Sequence, residues 1–231
     1  MTYWYGRPGA SLVKTDELKI GDAASEAAHQ YDSPQASEPY EITSRYDWGP
    51  DTGIKLAADM PAAAGQVLET DGAPTVAINP NEIYPAHTDQ GRKTTGASEF
   101  TLKLEPKNVG VLLRRKLDYR YPNQRAEVFV AEEKENDWKP AGVWYLAGSS
   151  TCVYSNPKEE LGATQHNEQT SNRRFRDDEF LVPRDLTAGR SAIRVRVCFT
   201  PVNIPLFPGR PPAEQAWTEL RYDAYCFVLR E

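Results

Sequence analysis

The sequence contains few of the residues that build disulfide frameworks or metal sites. Its 231 residues include three Cys, three His and two Met. The cysteines are Cys152, Cys198 and Cys226, an odd number at wide spacing, which excludes a disulfide framework and the common zinc motifs. Alternation places Cys226 on a core-facing side and Cys198 on an outward side, so we expect both thiols to be reduced. The histidines are equally scattered, and we predict no metal site.

Long apolar runs and targeting signals are also absent. No run approaches the roughly 20 apolar residues that span a bilayer, so we expect no membrane partner. No secretory signal is visible at the N-terminus, which indicates a cytoplasmic protein if Met1 is the natural start and otherwise leaves localisation open. The formal net charge of −6 argues against a nucleic-acid partner, because binding phosphates requires a basic face.

The common catalytic motifs are missing as well. The chain has no G-x-G-x-x-G after a strand, no P-loop, no G-x-S-x-G elbow and no H-E-x-x-H. The sequence therefore gives no support for nucleotide chemistry or for serine hydrolysis, and we predict no cofactor.

The chain is rich in short alternating runs separated by turn residues. The clearest run is IRVRVCF, in which Ile193, Val195 and Val197 share one face. Eighteen Pro and fifteen Gly supply many connections. We predict two short helical segments: residues 56–64, which Pro61 interrupts and which lie outside the residues that the structure describes, and a single turn at Ala23–Ala28, capped by Asp22 or Ser25. This pattern predicts an all-β protein, an antiparallel jelly roll or β-sandwich with long loops and little helix.

The strand signals are unevenly distributed along the chain. Residues 97–230 hold the convincing strands, whereas residues 1–95 are rich in Pro, Ala, Gly and acids and alternate weakly. The apolar content of the first part is too low for a separate core. We therefore predict one β-sandwich domain over residues 1–231, with a loop-rich N-terminal part packed on it.

A long polar stretch, residues 155–172, follows one predicted strand and precedes RRFRDDEF. Loops of this length are uncommon in compact domains and are often functional, although a solvated insertion is the simple alternative. His166 and Asn167 lie in this stretch, and Tyr154 lies just before it. Such side chains suit hydrogen bonding to sugar hydroxyls, so we predict all three as ligand-binding residues.

Two tryptophans lie in turn-rich contexts. Trp48 in RYDWGPDTG and Trp138 in ENDWKPAG are candidates for exposed aromatic platforms, because Trp and Tyr rings stack on the C–H faces of sugars. Any single Trp is more often a core residue than a platform. We keep both as predicted ligand-binding residues.

A cluster of charges spans residues 173–179. Arg174 and Arg176 share one side of the predicted strand and are candidate ligand-binding residues, whereas Asp177 and Glu179 share the other. The spacing of these two carboxylates is compatible with glycoside hydrolysis, which uses a carboxylate pair. Ordinary cross-strand ion pairing with arginine explains the cluster better.

A third candidate carboxylate, Glu26, lies three residues before His29. On a helical turn the two share a face, and they could act as a base and the group that orients it. A polar pair on a surface capping turn is the simple alternative.

Several longer stretches resemble a known family. The stretches are TYWYGRPGA, GDAASEAAHQY, VGVLLRRKLDYRYPNQRAEVFV with AGVWYLAG, RFRDDEFLVPRDLTAGRSAIRVRV and WTELRYDAY. They resemble the β-sandwich that follows the catalytic unit in the glycoside hydrolase family of difructose-anhydride synthases and arabinofuranosidases. That family's catalytic stretch has no counterpart here, so no catalytic residue carries over. The resemblance implies a jelly-roll sandwich, a carbohydrate partner and a homo-oligomer.

Three functions follow from these observations. The first is a non-catalytic carbohydrate-binding or assembly module, favoured by the sandwich pattern, the aromatic residues and the missing catalytic stretch. The second is a small glycoside hydrolase acting on fructo- or arabinofuranosides through Glu26, Asp177 or Glu179. The third is a structural oligomerisation domain, suggested by the apolar side chains on both faces of residues 217–229. The sequence leaves open whether the protein is an enzyme.

Overall fold

Strands dominate the described part of the chain. The computed structural model of the protein describes residues 9–44, 69–70, 73–74, 87–133, 136–155, 166–170, 174–204 and 214–229. The strands are β1 (Ala10–Lys19), β2 (Tyr40–Ser44), β3 (Glu69–Thr70), β4 (Ala73–Pro74), β5 (His87–Thr94), β6 (Ala97–Lys103), β7 (Asn108–Asp118), β8 (Gln124–Glu132), β9 (Lys139–Leu146), β10 (Thr151–Ser155), β11 (His166–Thr170), β12 (Phe175–Val182), β13 (Ala192–Phe199), β14 (Trp217–Glu219) and β15 (Arg221–Leu229). The helices are α1 (Ala23–Ala28) and a 3-10 turn, Arg184–Leu186. Neither helix has the length or apolar character needed to cross a membrane.

The strands form two four-stranded antiparallel sheets that pack face to face. The front sheet has the order β1-β15-β7-β12, and the back sheet has the order β6-β13-β8-β9. A single cluster of buried apolar residues contains side chains from both sheets. The prediction of an all-β antiparallel sandwich is therefore confirmed. A smaller sheet, β14-β5-β2, and the strand pairs β10–β11 and β3–β4 complete the described strands.

Alternation along the strands predicts which face is buried. Nine inward residues on or next to β6, β8 and β13 are each at most 6% exposed: Phe100, Leu102, Leu104, Ala126, Val128, Val130, Ile193, Val195 and Val197. Cys198 lies on the opposite face and is half-buried, whereas Cys226 is fully buried, and both are free thiols. The predicted orientation of these two cysteines is confirmed, and their reduced state stays a prediction.

One charged residue, Arg115, is buried among the inward residues of β7. Its neighbours on that face, Val111, Leu113 and Leu117, are 0% exposed, and so is Arg115. The guanidinium binds both carboxylate oxygens of Asp178, at 3.2 and 3.0 Å, and lies 3.3 Å from the ring centroid of Trp217. The arginine at this inward position of β7 therefore forms a buried ion pair, and its guanidinium stacks on an aromatic ring.

One prediction about a loop is wrong. Residues 166–170, within the predicted long loop, form β11, which pairs antiparallel with β10. The ladder hydrogen bonds outweigh the low strand propensity of the polar sequence HNEQT. In the N-terminal part, β1 is a ten-residue strand of the front sheet, with a register shift between Lys14 and Asp16.

Side chains of this same chain contact the outer face of β15. Asp223 is 1% exposed and lies 2.8 Å from Lys14 and 3.1 Å from Arg221. The Arg114 guanidinium lies 4.7 Å from the Tyr225 ring centroid. These contacts within one chain cover the outer face of β15 at Asp223 and Tyr225. The predicted homo-oligomer stays a prediction.

A fully buried carboxyl group, Glu219, joins three parts of the fold. It accepts hydrogen bonds from the hydroxyls of Tyr31 at 2.7 Å, Tyr222 at 2.6 Å and Ser98 at 2.9 Å. Burial raises the pKa of Glu219 above its ordinary value of 4.5, and these hydrogen bonds only partly oppose the effect.

Glu219→Gln is expected to change how stability depends on pH. Because the folded pKa is raised, the contribution of Glu219 to stability is full below pH 4.5 and is lost as the pH rises through the folded pKa. The variant lacks this titration, so its unfolding free energy should rise relative to that of the wild type as the pH increases above 4.5. Urea unfolding across this range measures the difference, and a constant difference would contradict the prediction.

Candidate ligand-binding site

A polar groove lies where β1, the β2–β5 pair and the β14–β15 corner meet. Its volume is about 570 Å³, within the usual size range of small-molecule sites. The lining residues are Lys19, Ile20, Asp22, Glu41, Thr88, Asp89, Gln90, Leu220 and Arg221. Seven of these nine side chains are polar or charged, which favours a ligand rich in hydrogen-bonding groups.

The first wall forms where β1 ends and the chain turns into α1. Gly21 has a φ of +86°, a conformation that glycine adopts without strain. The next residue, Asp22, caps α1, and its carboxylate accepts hydrogen bonds from the N–H groups of Ala24 and Ser25, each at 3.0 Å. The predicted helical turn and its Asp22 cap are confirmed. The cap fixes the Asp22 carboxylate at the edge of the groove.

The second wall is the β2–β5 pair, in which Glu41 and Gln90 are direct cross-strand partners. Asp89 extends from β5 to the front sheet, where its carboxylate lies 2.6 Å from the Lys116 ammonium. Gly91 allows β5 to approach this closely, because a Cβ there would lie 2.6 Å from the Glu219 carbonyl oxygen. The close approach of these backbones closes one side of the groove.

The third wall carries two cations from the front sheet. The Lys19 side chain is 60% exposed and lies 3.4 Å from Glu17. Arg221 binds Asp223 through Nε at 3.1 Å. Among the described residues, no group of three or more His, Cys, Asp and Glu side chains is arranged to hold a metal ion.

The predicted catalytic carboxylates do not come together. Asp177 and Glu179 are on β12, at one edge of the front sheet, whereas α1, which carries Glu26, lies against β1 at the other edge. Glu179 binds Arg114 at 2.7 Å on the neighbouring strand. The cross-strand ion pairing that we predicted for this cluster is confirmed by this pair and by the Arg115–Asp178 pair.

Glu26 and His29 also have separate partners. Glu26 accepts hydrogen bonds from Arg92, at 2.9 and 3.1 Å, and from the Gly21 N–H at 2.8 Å. Burial raises the pKa of Glu26, but the bonds from Arg92 and Gly21 outweigh this effect and lower it overall. His29 instead contacts Asp16 at 3.2 Å. The predicted pairing of Glu26 with His29 is therefore wrong.

Trp138, a predicted sugar platform, lies under two guanidinium groups on the outer face of the back sheet. Arg194 and Arg196 lie 4.9 and 4.1 Å from its ring centroid, and both bind Glu99. Trp138 is half-buried and is not part of the groove. The second predicted platform, Trp48, lies outside the described residues.

The other predicted ligand residues lie on the β10–β11 pair and at the start of β12. Tyr154 and Asn167 are cross-strand partners, and His166 is next to them, opposite Ser155. Arg174 immediately precedes β12, and Arg176 is the second residue of that strand. Arg174 binds the buried Asp118 through Nε at 3.2 Å, and Arg176 lies 4.7 Å from the ring centroid of Tyr119.

The groove residues escape sequence reasoning because they come from distant segments. Residues 19–22, 41, 88–90 and 220–221 meet only through strand pairing. The Gly21-Asp22 pair, a turn followed by a helix cap, was the one local signal available there.

Comparison with known proteins identifies no relative: no family model matches the chain, and no curated protein matches it.

Proposed function

We propose that this protein is a non-catalytic carbohydrate-binding module and that the groove is its binding surface. The observation that carries the proposal is the convergence of carboxylate, amide, hydroxyl and cationic side chains from three walls of one groove. A sugar ring presents several hydroxyls, each of which both donates and accepts hydrogen bonds. Glu41 and Asp22 supply acceptors, and Gln90 supplies both donor and acceptor groups. The sequence resemblance to the accessory sandwich of a furanosidase family also supports a sugar ligand and a jelly-roll connection of the strands.

The arrangement of carboxylates favours binding over hydrolysis. A glycosidase needs one carboxylic acid with a raised pKa beside a second carboxylate. Glu26 has a lowered pKa and is bound by Arg92, and Glu179 is bound by Arg114. Glu219 has a raised pKa but is 0% exposed, so a glycosidic bond cannot reach it.

Glu41→Ala is expected to weaken glycan binding about tenfold, the effect of losing roughly 1.4 kcal/mol of hydrogen bonding. A glycan array would identify ligands, and titration calorimetry would compare the variant with the wild type. Glu127→Ala is the matched control, because Glu127 is also an exposed strand glutamate but lies on the back sheet. We expect it to bind as the wild type does.

Two results would overturn this proposal. The first is the absence of binding to any glycan on the array. The second is turnover of arabinofuranosides or fructofuranosides that is lost in Asp177→Asn or Glu179→Gln, which would establish the hydrolase alternative.

A further inference from the structure

We propose that the groove binds an acidic sugar and that Lys19 and Arg221 bind the carboxylate of a uronic acid residue. This inference rests on the proposed function and specifies its ligand class. It comes from a row of like charges across the front sheet, beside the groove.

Three cations are adjacent in one row of the front sheet. Lys19 on β1 is the cross-strand partner of Arg221 on β15, and Arg221 is the partner of Lys116 on β7. Neighbouring strands lie roughly 4.8 Å apart, so the three side chains project side by side from the outer face. Like charges directly opposite each other destabilise a sheet unless they are compensated.

The three cations differ in how closely carboxylates of the same chain neutralise their charges. Lys116 has a close partner in Asp89, at 2.6 Å. Lys19 is 60% exposed, and its nearest carboxylate, Glu17, is 3.4 Å away. Arg221 binds Asp223 through Nε, and no described contact uses its two terminal nitrogens. The two cations that line the groove therefore retain N–H donors for an anion.

The other walls decide between a simple anion and an acidic sugar. The Asp22 carboxylate is held by the α1 cap, and Glu41 is an exposed carboxylate on the β2 wall. A small anion would be attracted by the positive charges of Lys19 and Arg221 but repelled by the Glu41 carboxylate. A uronic acid residue presents a carboxylate to the cations and hydroxyls to Glu41 and Gln90, so it satisfies both walls.

Calorimetry with an oligouronate and with the same oligosaccharide after reduction of its carboxyl groups tests this inference. We expect the oligouronate to bind at least tenfold more tightly, because hydrogen bonds to charged groups are the stronger class. Lys19→Gln should remove most of that preference, because it takes away one of the two cations that bind the carboxylate. Lys139→Gln is the matched control, because Lys139 is 53% exposed on β9, away from the groove, and should keep the preference.

Each other outcome has a distinct meaning. Equal affinity for the two oligosaccharides would overturn the acidic-sugar inference and leave the proposed function standing. Failure to bind either, together with a negative array, would overturn both. Inorganic sulfate that competes at the concentration of the oligouronate would show a simple anion site and overturn this inference.

Discussion

Arg115→Ala is expected to lower the free energy of unfolding by about 3–5 kcal/mol, the cost of breaking a buried ion pair by removing one partner. Without the guanidinium, Asp178 loses its bonds at 3.2 and 3.0 Å, and the side-chain oxygen of Gln124 loses a donor at 3.1 Å. The Asp178 side chain, which is only 9% exposed in the intact protein, would then lack its cation. Urea unfolding at pH 7 measures the change.

The neighbouring pair on the same two strands provides the control. Arg114 and Glu179 are each 30% exposed, and solvent screens their attraction, so Arg114→Ala should cost about 1 kcal/mol or less. The double variant Arg115→Met/Asp178→Leu removes both buried charges and should recover most of the loss. Similar costs for Arg115→Ala and Arg114→Ala would contradict this interpretation of the buried pair.

Trp217→Ala should lower the free energy of unfolding by a similar amount, about 3–5 kcal/mol, because it empties a large buried volume. Trp217 is 0% exposed, packs edge-on against Trp144 and donates a hydrogen bond through Nε1 to the Tyr222 hydroxyl at 2.8 Å. Its ring also supports the Arg115 guanidinium. Chemical denaturation followed by circular dichroism measures the loss without relying on tryptophan fluorescence.

Trp138→Ala is the comparison for this prediction. Trp138 is half-buried and lies on the outer face of the back sheet, so its removal should cost about 1 kcal/mol. A loss as large as that of Trp217→Ala would show that Trp138 also supports the fold.

Period-2 alternation predicted the strands in which each inward position carries an apolar side chain. IRVRVCF is such a strand, and Ile193, Val195 and Val197 are all buried. The same reasoning missed β1, because the register shift between Lys14 and Asp16 interrupts the alternation. Alternation alone gives no reason for an arginine at position 115 of an apolar face, because only the packed structure shows the carboxylate and the aromatic ring that make the burial of Arg115 tolerable.

The candidate site was predictable to a smaller extent. Charges on β12 were correctly interpreted as ion pairs, because cross-strand partners are adjacent once β7 and β12 pair. The groove depends on which strands are neighbours, and local sequence does not contain that information. Lys19 and Arg221 are far apart in the chain and become neighbours only when β1 pairs with β15.

The pairing of β1 with β15 has a consequence for how the front sheet assembles. β15 lies between β1 and β7, so β1 cannot pair with this sheet until β15, the last described strand, is in position. Contacts between such distant segments form slowly, because the entropy of closing a long loop must be overcome first. We therefore expect β1 to join the front sheet late in folding, and truncation before β15 would leave β1 detached from the β7–β12 pair.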